Sequence, residues 1–420
     1  MNTSPTKNHL EPVQEDKRIV VFDAIRGFAL FGIMFVNMTW FTGYAVLSPN
    51  QKQALSTHRI DEFANWMIEV FVAGKFWTIF AFMFGLGIAI QLKKFENDSG
   101  RMKLHFIRRL SILLLFGLIH GCFLWFGDIV SLYAAAGFAL ILFIRCSDKT
   151  KLIWGFTLLL LPIIQVSVWL LIATLNGSAA GLDPGHGPAE LLPVFGTGTY
   201  LEVLAANWEF LKERWFIAIY DGRFLKLTGL FLIGWWTANQ QIIRRAHKNQ
   251  RLLIWLTLIA LLIGLPTNLI VSTSLAGVAL RPVSIDGLLV ETLKAIGIPA
   301  MGLGYIALLS LWMNKRPASR VINLLAVVGR ISLTNYVMQS VIGVTIFYGY
   351  GFQQWGRFGV AWSIPLILAI FALQILLSAA WLNYFRFGPL EWIWRCMAYG
   401  KVIPILNQLS GSHQIVAKKT

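Results

Sequence analysis

The chain of 420 residues is 56% hydrophobic and only 13% charged, about half the charged share of a soluble domain, which excludes an ordinary water-soluble globule. Its net charge of +16 would suggest nucleic acid in a soluble protein, but no basic face with aromatic or groove-reading context accompanies it, and nucleic acid is excluded as a partner. The apolar blocks have the length of about 20 residues that crosses a bilayer as a helix, and they lack the period-two alternation of barrel strands.

The expected fold is therefore all-α, a polytopic membrane bundle of about ten helices. A polar tail covers residues 1–19, the helical domain 20–384, and an interfacial and polar tail 385–420. Apolar blocks predict spans near 20–42, 64–92, 108–126, 129–145, 152–174, 214–240, 252–274, 289–312, 322–347 and 359–384. Residues 175–213 form the longest predicted external segment. It opens on a Gly/Pro-rich stretch with His186 and continues as an interfacial helix whose apolar face is Leu201, Leu204, Trp208 and Leu211. About 24 Lys and Arg residues fall in one alternating set of connecting segments and about 6 in the other. The positive-inside rule then puts both termini in the cytoplasm, in a bacterial inner membrane. The polar start and full-length first block are unlike a cleavable signal.

Charges inside spans are costly and mark candidate functional groups. At the inner end of the first span, Asp23 and Arg26 stand at i, i+3, placed either to pair or to meet an anionic ligand such as a CoA phosphate. Lys75 lies too deep in the second span to snorkel and requires a partner or a watery cavity. Arg108 and Arg109 open the third span. His120 lies near its outer end, and Asp128 sits on the turn beyond, eight residues away; a direct pair requires the turn to fold back. A histidine held by a carboxylate is prepared for general-base work. Asp221 and Arg223 with Lys226 mark the sixth span, Glu291 and Lys294 the eighth. The ninth carries a polar stripe with Arg330, Ser332, Thr334, Asn335, Gln339 and Ser340, suited to knitting helices or lining a ligand pocket. Cys122, Cys146 and Cys396 have no metal-ligand or CxxC spacing, and no metal is expected. No GxSxG, HExxH, Walker loop or GxGxxG occurs.

Several motifs in order carry a resemblance to a known family: Asp23-Ala-Ile-Arg-Gly-Phe-Ala-Leu-Phe-Gly-Ile33, Gly74-Lys-Phe76, Phe84-Gly-Leu-Gly87, Arg108-Arg-Leu110 leading to His120, and Gly127-Asp-Ile129. Gly329-Arg-Ile-Ser-Leu-Thr-Asn-Tyr336 and Phe387-Gly-Pro-Leu-Glu-Trp392 complete the set. The chain resembles the bacterial YeiB family, defined by a domain of unknown function. That family is grouped with transmembrane acyltransferases, among them the lysosomal heparan glucosaminide acetyltransferase, and Asp23, Arg26 and Gly27 match the shared Asp-x-x-Arg-Gly-like opening. In the lysosomal enzyme the catalytic histidine lies in the luminal loop after the opening helix. The histidine in that loop here is His58, in different surroundings, so His58 and His120 both stand as candidate bases.

The expected activity is acyl transfer. A cytosolic acyl-CoA would bind near Asp23, Arg26, Arg108 and Arg109, and His120 with Asp128 would activate an external glycan or lipid-linked acceptor. Lys75, Asp221, Arg223, Arg330, Asn335 and Gln339 would line the substrate path, and membrane lipids would surround the bundle. A permease for a small metabolite and a non-catalytic membrane component are the alternatives. If the six charged spans share one cavity, the architecture has a site.

Overall fold

In the computed structural model the described residues are 20–93, 99–175, 189–273, 285–317 and 319–407. The polar tail, the Gly/Pro stretch 176–188 with His186, and the chain beyond 407 lie outside them. Among the described residues there is no β-strand, only an isolated antiparallel bridge between Phe385 and Leu406. In chain order the helices are α1 (Val20–Phe41), α2 (Pro49–Gln53), α3 (His58–Phe71), α4 (Lys75–Leu92), α5 (Ser99–Phe123), α6 (Val130–Phe138) and α7 (Asp148–Leu175). They continue with α8 (Leu192–Thr197), α9 (Tyr200–Tyr220), α10 (Arg223–Asn239), α11 (Gln250–Ile259), α12 (Leu265–Thr273) and α13 (Ile285–Lys315). The last four are α14 (Arg320–Arg330), α15 (Ser332–Phe347), α16 (Val360–Tyr384) and α17 (Pro389–Tyr399).

Among the described residues seven helical segments are long and apolar enough to cross a membrane, and eight if a sharply bent pair counts as one. Three predicted spans take another form. The block at 322–347 is bent by 81° between α14 and α15. Ile331 leaves the helical region there, and α14 buries Ile322, Val328 and Gly329 while Val321, Asn323 and Leu324 are exposed. The block at 214–240 breaks at Asp221-Gly222, where Gly222 takes a left-handed φ of 66° and the Asp221 carboxylate accepts the Arg223 N–H at 2.9 Å to restart the helix. The block at 129–145 begins as α6, only 9 residues long.

The α9 helix runs six residues past the predicted interfacial helix, and its buried face is rotated from the expected one. Val203, Ala206, Asn207, Phe210 and Leu211 face inward, while Leu201 and Trp208 are exposed. The inward face is set by an aromatic cluster of Phe126, Phe195 and Phe210 (centroids 4.9–5.4 Å apart) and by Asn207, which accepts the Phe126 N–H. Helical spacing alone could not see that partner.

The contact that most shapes the site is between α1 and α14. A Cβ on Gly27 would overlap the Leu325 carbonyl, and one on Gly329 would overlap the Asp23 carbonyl. The two helices therefore meet backbone to backbone, the small-residue packing favoured where no hydrophobic effect drives helices together. This brings the Asp23–Gly27 motif against the Gly329–Tyr336 motif, about 300 positions away in sequence. A buried centre of Leu30, Ile79, Met83, Leu230 and Phe231 joins α1, α4 and α10 beside them.

Candidate functional site: a buried Ser–His–Asp chain between two basic cavities

The α5 helix ends just beyond His120, whose carbonyl accepts the N–H groups of Leu124 and Trp125 as the chain turns. The turn folds back and α6 begins. Asp128, fully buried, accepts the N–H of Val130 at 3.1 Å and of Ser131 at 2.6 Å. A carboxylate on the first N–H groups of a helix satisfies orphan donors and meets the positive end of the helix dipole. The same carboxylate reaches His120 Nδ1 at 3.1 Å, so the direct pair does form. From α15, Ser340 Oγ lies 2.9 Å from His120 Nε2. Asp128, already accepting two backbone N–H groups, fixes the tautomer: Nδ1 carries the proton, and Nε2 accepts the Ser340 hydroxyl.

The α15 helix presents two polar faces. Tyr336 and Ser340, one turn apart, face the α5–α6 turn. The Tyr336 ring lies 5.1 Å from that of His120, and its hydroxyl accepts the Ile129 N–H. Asn335 and Gln339 face α16 instead. Asn335 donates to the Val328 carbonyl and to Ser378, and Gln339 donates to Gln374 at 3.0 Å. Expected in the substrate path, these two line neither cavity and act as buried helix-to-helix ties. The start of α15 is itself held by Glu391 of α17, which accepts the N–H groups of Leu333 (2.7 Å) and Thr334 (3.2 Å) and the Thr334 hydroxyl (2.6 Å). That capping links two of the sequence motifs and fixes where Tyr336 and Ser340 stand.

Two cavities flank this centre. The first, about 180 Å³, is lined at one end by Arg26, Arg109, Arg330 and Arg395 and at the other by Ile129, Tyr133 and Tyr336. Arg26 pairs with Asp23 at 3.2 Å, and Arg330 donates to the Arg386 carbonyl. Arg109 is 8% exposed, yet its guanidinium stacks on the indole of Trp394 at 3.9 Å rather than meeting a carboxylate. Arg109 and His120 are eleven residues apart on α5, about 16 Å of helical rise. Arg108, expected beside Arg109, is exposed and packs by Gly400, away from the cavity; neighbouring residues on a helix point in different directions.

The second cavity, about 340 Å³, is lined by Arg214, Asp221, Arg223, Lys226 and Lys294 together with apolar groups such as Val36, Trp77 and Leu159. Arg223 pairs with Asp221 at 2.7 Å, and Glu291 with Lys226 at 3.2 Å and Lys294 at 3.8 Å. Lys75 lies beside Gly74 of this wall. It is 1% exposed and donates to the Glu69 carbonyl at 2.6 Å, capping the end of α3. The Tyr133 hydroxyl, from the first cavity's wall, donates to the carbonyl of Trp77, from the second's, at 2.9 Å. The charged spans thus share two cavities, not one. His58, the alternative base, starts α3 and faces Glu62 on its own helix at 3.6 Å, apart from the Ser340–His120–Asp128 chain. Among the described residues no group of three or more His, Cys, Asp or Glu side chains is placed to hold a metal ion.

Sequence reasoning did not single out Ser340 as the histidine's partner, nor Arg214 and Arg395 as cavity residues. No local signal could have done so, because Ser340 and His120 are 220 positions apart.

Helices long enough to span a bilayer, packed around a buried polar centre and two charged cavities, define an α-helical membrane protein. Residues 237–401 match the family described as "Protein of unknown function (DUF418)". The chain is similar to the uncharacterized protein YxaH of Bacillus subtilis, 28% identical over 95% of this chain and 98% of that one. It is similar to the uncharacterized protein YeiB of Escherichia coli, 27% identical over 94% of this chain and 100% of that one. An uncharacterized 39.9 kDa protein from the amylase 3′ region of Bacillus acidopullulyticus is 28% identical over 94% and 98% of the two chains. The likeness to YeiB and the matched family model agree with the resemblance that the motifs carry. No solved structure matches it.

Proposed function

We propose that the chain crosses a bacterial cytoplasmic membrane about ten times, with both termini inside, and transfers an acyl group from acyl-CoA to an external or lipid-linked acceptor. Ten passes follow if the seven spans are joined by the bent α14–α15 pair, the short apolar helix 130–143 and the broken α9–α10 pair. The bacterial relatives support the location.

The observation that carries the acyl-transfer reading is the hydrogen-bonded chain Ser340–His120–Asp128, at 2.9 and 3.1 Å, behind the Tyr336 wall of a cavity that four arginines also line. Nucleophile, base and orienting carboxylate in that order are the requirement for nucleophilic acyl transfer. In this reading the arginines hold the donor's phosphates and its acyl arm reaches toward Tyr336. The Ser340 Oγ–H proton passes to His120 Nε2 as Oγ bonds to the thioester carbonyl carbon. The C–S bond breaks, and His120 returns the proton to the leaving thiolate. An acceptor hydroxyl then gives its proton to His120 and attacks the acyl-serine; the C–Oγ bond breaks and Ser340 regains a proton. Asp128 stabilises the imidazolium in both halves.

The test is to incubate the purified chain with acyl-CoAs from acetyl to palmitoyl, without acceptor, and follow thiol release and intact mass. Wild type is expected to gain one acyl group, with Ser340→Ala and His120→Ala gaining none. Absence of both adduct and thiol release at every chain length would overturn the reading. Loss of thiol release in His58→Ala alone would move the base to His58. A second reading, a permease, draws support from the two cavities separated by the Tyr133–Trp77 contact and from the helix breaks beside them. Solute flux in proteoliposomes lacking acyl-CoA would favour it.

A further inference from the structure

We propose that the second cavity is a binding site for a phosphate group carried on an apolar chain. Four cationic side chains line it, Arg214, Arg223, Lys226 and Lys294, and they come from three helices, α9, α10 and α13. The facing carboxylates are Asp221, paired with Arg223, and Glu291, shared by Lys226 and Lys294. Four positive charges against two negative leave a surplus of two, the charge of a phosphate monoester dianion.

Collecting like charges among apolar helices is unfavourable unless an anion joins them. The geometry supplies suitable donors. Arg214 uses Nε for the Asp128 carbonyl at 3.0 Å, which leaves its two terminal amino groups for the cavity. Glu291 stands between two ammonium groups at 3.2 and 3.8 Å, so one carboxylate is divided between two lysines and neutralises neither alone. Arginine forks and flexible ammonium groups together suit phosphate oxygens. The rest of the lining is largely apolar, with Val36, Trp77, Leu159, Leu230 and Ile298, and accepts hydrocarbon beside the cations that accept charge. Because Arg214 bonds to Asp128 itself, phosphate held here lies one residue from the Ser340–His120–Asp128 chain.

As the seat of an acyl acceptor, this site rests on the acyl-transfer reading; as a phosphate site it does not, and the test reads binding without turnover. The full chain in neutral detergent is titrated with dihexanoyl phosphatidic acid, with inorganic pyrophosphate and with decanoate, by calorimetry. Saturable binding of phosphatidic acid is expected, weakened about tenfold in Arg223→Gln and in Lys294→Gln. Lys294→Arg is expected to retain it, which separates lost charge from lost fold. Arg251→Gln, on the exposed side of α11 and outside both cavities, leaves it unchanged. Phosphatidic acid tighter than pyrophosphate is expected and identifies a lipid-borne phosphate; pyrophosphate at least as tight would overturn the apolar-chain assignment. Decanoate binding as tightly as phosphatidic acid, no saturable binding of either phosphate, or binding indifferent to both Gln variants would each overturn the proposal.

Discussion

His120 is held at both ring nitrogens, and the two partners do different things. Asp128 is anchored by two backbone N–H groups before it meets the imidazole, so it cannot swing away without leaving the first turn of α6 unsatisfied. Ser340 is held only through its helix. Asp128→Asn is expected to keep the fold at some cost in stability, because the amide oxygen still accepts the Ser131 N–H while the NH2 group faces the Val130 N–H and the His120 ring. It lowers acyl-enzyme formation about 10³-fold or more, since the ring is no longer kept in the tautomer that accepts from Ser340. Single-turnover thiol release measures this, and a variant within threefold of wild type would remove Asp128 from the mechanism. At this scale the sequence was informative about His120 and Asp128, eight positions apart. It was silent about Ser340, which looked like one polar residue of a stripe.

The α15 helix shows how a buried site is placed by elements far from it. It starts abruptly after an 81° bend, and Glu391 takes up its first donors. Removing a carboxylate that caps a helix costs about 1–2 kcal/mol, and more when the orphaned donors are buried. Glu391→Ala is expected to destabilise the protein by about 2 kcal/mol, read as a lower unfolding temperature in detergent, and to loosen Tyr336 and Ser340 together. An unchanged unfolding temperature would show that α15 is held by packing alone. The motif that contains Glu391 was legible as a resemblance and as an interface anchor. Its capping role was not, because a cap depends on where another helix begins. Likewise the glycines at 27 and 329 read as two separate motifs until α1 and α14 were seen to meet through them.

Over the whole molecule, the loop charges and the two cavities make one joint claim. In the proposed orientation Arg26 and Arg109 of the first cavity lie toward the cytoplasmic side, and the loop bearing Lys52 on the other. Single cysteines introduced at Lys52 and at Lys401, in a background with Cys122, Cys146 and Cys396 replaced by alanine, test this. A membrane-impermeant maleimide on sealed spheroplasts is expected to label position 52 and spare position 401 until the cells are opened. The reverse pattern would invert the topology. The sequence by itself determined that the chain is all helical and apolar enough for the membrane, because hydrocarbon leaves the backbone no other way to satisfy its polar groups. It also determined which charges are buried in that apolar setting, since a costly charge shows wherever it falls in an apolar block. Tertiary structure decided which charges share a cavity, which polar residues merely tie helices together, and which hydroxyl meets His120. Those outcomes depend on helices separated by up to 300 positions, and no local periodicity carries that information.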